Sequence, residues 1–94
     1  MIGGEQMAAK TVKIKNKTGI HARPASMLVD AAQDFESKIS LVYDGQEVNA
    51  KSVMGIMSLA VTHDTRVTLK AEGPDAQEAL TTLEEIIDNK FGEE

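Results

Sequence analysis

The sequence predicts an α+β fold: an open-faced two-layer sandwich, with a four-stranded antiparallel sheet and three helices on one face, in the order βαββαβα. Three observations carry this. TVKIK and RVTLKAE alternate apolar and polar residues, as strands do when one face is buried and the other wet. Between the strands, apolar residues recur at helical spacing, first from Pro24 and again from Asp75. Amphipathic helices beside a one-sided sheet must cover its apolar face, which makes two layers.

The elements follow in order. TVKIK (11–15) places Val12 and Ile14 on one side of a strand, and NKTG (16–19) is turn chemistry. Proline is favoured at the first helical position, and Ala25, Leu28, Val29, Ala32 and Phe35 continue at helical intervals, so a helix is predicted over 24–36. Ile39, Leu41 and Tyr43 alternate. Asp44-Gly45 tolerates positive φ at both positions and predicts a tight hairpin, returning over 46–49. SVMGIMSLA (52–60) reads as a short helix capped by Ser52. Val67, Leu69 and Ala71 form the last strand, closed by Gly73-Pro74. Asp75 and Glu78 have the spacing of a capping box. Ala76, Ala79, Leu80, Leu83, Ile86 and Ile87 then line a long helix ending near Gly92. Residues 1–6 read as a loose extension, and 7–94 as one domain.

Composition narrows the function. With aromatics at 3% and no tryptophan, the core must be aliphatic: Val, Ile, Leu, Met and Ala. The net charge of −5, with scattered bases, speaks against nucleic-acid binding. The chain lacks cysteine, which excludes disulfides and thiolate metal sites, and no metal is expected. No stretch suits a signal peptide or approaches the ~20 apolar residues of a membrane span. A cytoplasmic protein, without membrane insertion, is expected.

The chemistry concentrates in TGIHARPAS (18–26), where a histidine stands at a position usually taken by Ser, Thr, Asp or Asn. Pro24 in the first turn puts His21 to Arg23 at a helix entrance, whose free N–H groups and dipole attract anions. Nδ1 of an imidazole is attached as the amide oxygen of Asn is, so a phosphoryl group on Nδ1 would sit over those N–H groups. Arg23 could bring a guanidinium to the same oxygens. A neutral imidazole is nucleophilic, and phosphoryl transfer asks mainly for positioning and charge stabilisation. Taken alone, His-x-Arg-Pro fits a capping or surface histidine better. His63, in the loop THDT, reads as solvated, as do the acidic tail and the charges of the last helix.

TGIHARPAS together with NAKSVMGIMSLAV (49–61) resembles the HPr family, the histidine-containing phosphocarriers of the bacterial sugar phosphotransferase system, and KSVMGIMSL resembles its Gram-positive type in particular. The resemblance runs from Met7 to about Phe91. It implies that His21 is the phosphorylated histidine, that Arg23 steadies the phosphoryl group, and that Ser52 is the serine phosphorylated by HPr kinase/phosphorylase. Ser52 taken alone reads as an N-cap, a role compatible with phosphorylation. The family pattern has glycine where this chain has Ala60.

The resemblance further implies a carrier rather than an independent turnover enzyme, with no cofactor of its own. His21 would accept phosphate from enzyme I, charged by phosphoenolpyruvate, and pass it to enzyme IIA domains of sugar permeases. A nitrogen-related branch of the same system is a variant of this reading. The phosphoserine form would bind catabolite control protein A. If Ile56, Leu59 and Ala60 face the core, Val53, Met54 and Met57 remain on a flank. Periodicity slightly favours burying these too, whereas the resemblance favours a docking patch, joined by Ile20, Ala22 and Met27. A monomer is expected. Two rival readings remain: a purely regulatory paralogue acting through the serine, and a generic α+β interaction domain.

Overall fold

The computed structural model describes residues 6–93. Its elements are β1 (Gln6–Lys13), α1 (Ala22–Ala32), β2 (Lys38–Tyr43), β3 (Gln46–Asn49), α2 (Val53–Met57), β4 (Arg66–Gly73) and α3 (Ala76–Asp88), followed by a 3₁₀ turn over Lys90–Gly92. The sheet runs in the order β1-β4-β2-β3, with every pairing antiparallel. Asp44 and Gly45 both have positive φ (52° and 80°), as the predicted tight hairpin requires.

Alternation along the strands separates the two faces. Val12, Ile39, Leu41, Val67, Leu69 and Ala71 are buried beneath the helices, which contribute Ala25, Leu28 and Val29 from α1, Ile56 from α2, and Ala79, Leu80, Leu83 and Ile87 from α3. The other face is polar: Thr11 meets Thr68 (3.1 Å), and Lys70 pairs with Glu47 (3.2 Å). The core is aliphatic as expected, with one aromatic exception, Phe91, which is fully buried.

Several boundaries differ from the expectation. β1 begins at Gln6, paired with Gly73, so the last residue assigned to the extension belongs to the sheet; residues 1–5 lie outside the described residues. The first helix spans Ala22–Ala32 rather than 24–36, and Pro24 is its third residue. Proline costs nothing there, because the first N–H groups of a helix have no intrahelical acceptor. At the other end, Asp34 N–H bonds to Ala31 O and Phe35 N–H to Ala32 O, both 3.2 Å, a tightening that closes the helix before Phe35. α3 stops at Asp88, and Lys90, Phe91 and Gly92 all take positive φ.

Asp75 does not make the predicted capping box. Its side chain makes no bond to its own helix; its carboxylate accepts from Glu36 N–H and Ser37 N–H (both 2.9 Å) and from the Ser37 hydroxyl. It ties the start of α3 to the turn before β2. The Ser37 hydroxyl first, then the Glu36 N–H, hold this carboxyl below its ordinary value of 3.8. A carboxyl depressed in the folded state stabilises the fold above its unfolded value and loses that contribution as pH falls through the folded one. Asp75→Asn is therefore expected to lower Tm at neutral pH and to flatten the fall in Tm below pH 3.8. Thermal melts across that range would check it; parallel acid limbs in both proteins would refute it.

The docking-patch reading supposes that Ala60 faces the core with Ile56 and Leu59. Ala60 is exposed instead, with φ at 53°. This left-handed conformation costs an L-residue about 1–2 kcal/mol, which explains why the family pattern has glycine here. Glycine would recover that cost, less its larger unfolded-state entropy, and would open no cavity at an exposed site. Ala60→Gly is expected to stabilise the fold by about 0.5–1 kcal/mol in urea unfolding. An unchanged or lower midpoint would refute this.

Candidate functional site

The site is built on a tight passage of the chain. Gly19 has φ +70°, and a Cβ there would stand 2.5 Å from Val61 O. The passage lets Ile20 N–H bond to Val61 O at 3.0 Å and sends the Ile20 side chain into the core, 4% exposed. Ile20 was expected on the docking patch. Its burial removes its side chain from any partner, and its role is to anchor the residue that follows.

That residue, His21, is the extended N-cap of α1. Its carbonyl accepts the first helical bond, from Ala25 N–H at 3.0 Å. Pro24 has no N–H, so the helix entrance offers the N–H groups of Ala22 and Arg23, for which the helix supplies no acceptor. The His21 side chain makes no capping bond to them and is 48% exposed. Its Nε2 lies 3.3 Å from Glu93 Oε2, and Nδ1 has no bond among the described residues. Arg23 is exposed, with no carboxylate partner among the described residues.

Glu93 arrives from the other end of the chain, 72 residues away in sequence. The buried Phe91 side chain anchors the 3₁₀ turn that delivers it. The Thr18 hydroxyl donates to Oε1 (2.8 Å), and the Asn16 amide reaches the same oxygen at 3.3 Å. Asn16 is fully buried, and its amide also donates to Gly19 O (2.7 Å) and Thr18 Oγ1 (3.2 Å), while its own Oδ1 has no partner among the described residues. Above all, the Thr18 hydroxyl holds the Glu93 carboxyl below its ordinary value of 4.5, against opposing desolvation. The sequence reading missed all three residues. Its only cue was the polar turn NKTG immediately before the histidine.

Ser52 caps α2 as expected, its Oγ accepting from Gly55 N–H at 3.0 Å. Ile56 and Leu59 take the core, leaving Met54 78% exposed, Met57 38% exposed and Val53 half-buried. α1 packs against α2 and adds Ala22, exposed, and Met27, half-buried. His63 is exposed. Among the described residues, no cluster of three or more His, Asp or Glu could hold a metal, and no helix is long and apolar enough to cross a membrane.

Comparison with known proteins now decides the family. The family model described as "PTS HPr component phosphorylation site" matches residues 8–89. The phosphocarrier protein HPr of Treponema pallidum (strain Nichols) is 49% identical over 88 residues, covering 94% of this chain and all of that protein. The chain belongs to the HPr family. HPr is the phosphocarrier of the phosphotransferase system, and the fold agrees. The crystal structure of HPr-C-His from Thermoanaerobacter tengcongensis superposes with a TM-score of 0.89 at 52% identity, over 93% of this chain and 98% of that one. A second solved relative is Crh, the Bacillus subtilis catabolite repression containing protein, solved as a domain-swapped dimer. It matches with a TM-score of 0.72 at 49% identity, over 84% of this chain and 91% of its own. This HPr-family chain therefore resembles both a carrier and a regulatory relative.

Proposed function

We propose that His21 carries the phosphoryl group on Nδ1, taking it from phosphorylated enzyme I and passing it to enzyme IIA domains of sugar permeases. The observation that carries this reading is a half-exposed imidazole at a helix entrance, unused as a cap, beside the N–H groups of Ala22 and Arg23. The Nδ1 lone pair forms the new N–P bond while the donor's N–P bond breaks, its electron pair returning to the donor nitrogen. The helix N–H groups and the exposed Arg23 guanidinium meet the three phosphoryl oxygens, so the step needs no cofactor of this chain's own. Incubation with enzyme I and phosphoenolpyruvate, followed by intact mass, tests it. One acid-labile phosphoryl group is expected; no gain in mass, or only an acid-stable one, would overturn the assignment.

The same reading makes Ser52 a regulatory site for HPr kinase/phosphorylase, with catabolite control protein A as the partner of the phosphoserine form. It also makes the chain a monomer that works in the cytoplasm. Support for the regulatory part comes from the likeness to Crh and from the place of Ser52 beside the exposed Met54 and Met57. Negative charge at a helix N-terminus suits the helix but disfavours a partner that must desolvate it on docking. Ser52→Asp is therefore expected to fold normally and to accept phosphate from enzyme I with weaker apparent affinity and unchanged turnover. Kinetics equal to wild type in both would leave Ser52 as a helix cap only. The exposed His21 favours the carrier over a purely regulatory paralogue.

A further inference from the structure

We propose that Glu93 is a positioning residue for phosphoryl transfer: it holds the Nε2 proton of His21 and offsets the positive charge that the ring acquires when Nδ1 takes the phosphoryl group. The inference rests on the reading of His21 as the carrier.

The two carboxylate oxygens of Glu93 have separate tasks. Oε1 is occupied by the Thr18 hydroxyl and the Asn16 amide, which leaves Oε2 for the imidazole at 3.3 Å. The arrangement is built rather than incidental. Fully buried Asn16 commits its amide to this cluster although its own Oδ1 has no partner among the described residues, a cost the fold bears locally. Phe91 plugs the core with φ at 55°, a conformation unfavourable for a bulky residue, and so fixes where the turn delivers Glu93.

The chemistry follows from what a carboxylate can do. An ionised carboxylate only accepts hydrogen bonds, so Nε2 must carry the proton and Nδ1 the lone pair. The nucleophilic nitrogen is thereby the one nearest the helix entrance. When Nδ1 attacks, the N–P bond forms and the ring becomes a phosphoimidazolium, still bearing its Nε2 proton, with Glu93 as counter-ion. In the onward step the electron pair of the N–P bond returns to Nδ1, and neutral imidazole departs. No proton is gained or lost in either direction. Without the Nε2 proton the leaving group would be an imidazolate, which is far poorer. Glu93 thus keeps the ring in the state that both accepts and releases phosphate, in the way an aspartate orients the histidine of a hydrolytic triad.

Glu93→Gln and Thr18→Val in the full chain test this against wild type, with enzyme I and phosphoenolpyruvate. Gln can offer Nε2 a donor in place of an acceptor, so ¹⁵N spectra of the neutral ring should show Nε2–H alone in wild type and a share of Nδ1–H in Glu93→Gln. The turnover of Glu93→Gln should fall about two- to fivefold, the effect of losing one partly exposed charge pair, with KM for enzyme I unchanged. Thr18→Val, which keeps the carboxylate but leaves Oε1 to the Asn16 amide alone, should fall between the two. Turnover of Glu93→Gln equal to wild type, or a loss confined to KM, overturns the role of Glu93 and leaves the carrier assignment standing. A wild-type protein that takes up no phosphate at His21 overturns the carrier assignment instead, and the ¹⁵N spectra report on the Nε2 contact independently of it.

Discussion

His21→Ala is expected to fold as the wild type does and to take up no phosphoryl group at all. Both halves follow from the same geometry. The contribution of His21 to the fold is made by its backbone: its carbonyl accepts from Ala25 N–H at 3.0 Å, and alanine supplies that carbonyl equally well. Its side chain makes no capping bond, and its one hydrogen bond among the described residues is the 3.3 Å approach to Glu93. Losing a half-exposed pair of this kind costs on the order of 1 kcal/mol or less. The chemistry loses everything, because among the described residues no other nucleophile stands at the entrance of α1. Arg23 is never deprotonated, and Thr18 donates its hydroxyl to Glu93. Intact mass after incubation with enzyme I and phosphoenolpyruvate checks uptake, and a thermal melt checks the fold. Undiminished, acid-labile labelling of the folded variant would place the phosphoryl group on another residue.

What the sequence made legible was local. The period-2 alternation located the strands, because it records which face of the sheet each side chain takes. Asp44-Gly45 specified its hairpin because few other pairs accept φ of 52° and 80°. The start of α1 was misread because proline is tolerated at any of the first few helical positions, so Pro24 marks the first turn without marking its first residue. Asp75 was misread for a different reason: an aspartate before a helix can satisfy either its own helix or a neighbouring loop, and only the approach of Ser37 decides which. The candidate site divides in the same way. His21, Arg23 and Ser52 lie in short contiguous strings whose residue types state their chemistry. Glu93 lies in an acidic tail that reads as solvated surface, and nothing in its neighbours announces that Phe91 will bury and turn it onto a histidine near the other end of the chain. Ile20 fell on the wrong side of the expectation because its burial depends on a tertiary contact, the passage of Gly19 beside Val61.

Gly19→Ala is accordingly expected to cost the fold more than any other substitution considered above, and to slow transfer in whatever folds. At φ +70° the new residue adopts the left-handed conformation, costing about 1–2 kcal/mol. Its Cβ would also stand 2.5 Å from Val61 O and 2.9 Å from Thr62 Cα. Both are backbone atoms, so relief requires moving the chain rather than a flexible side chain, at about 1–3 kcal/mol. Any such movement stretches the bonds from Ile20 N–H to Val61 O and from the Asn16 amide to Gly19 O. The sum, about 1.5–4 kcal/mol after subtracting the unfolded-state entropy that glycine carries, is a large share of the stability of a small domain and should lower Tm by about 6 °C or more. Gly45→Ala separates the two causes. Gly45 has φ +80°, but no atom of the described residues lies within 4 Å of where a Cβ would stand, so it should show the conformational cost alone. Movement at residue 19 also displaces Ile20, which anchors His21, and loosens Asn16, which holds Glu93. Turnover with enzyme I should therefore drop in Gly19→Ala below the folding midpoint and stay near wild type in Gly45→Ala. Equal melting temperatures for the two variants would show that the close approach to Val61 carries no strain, and equal turnover would show that Gly19 does not set the position of the histidine.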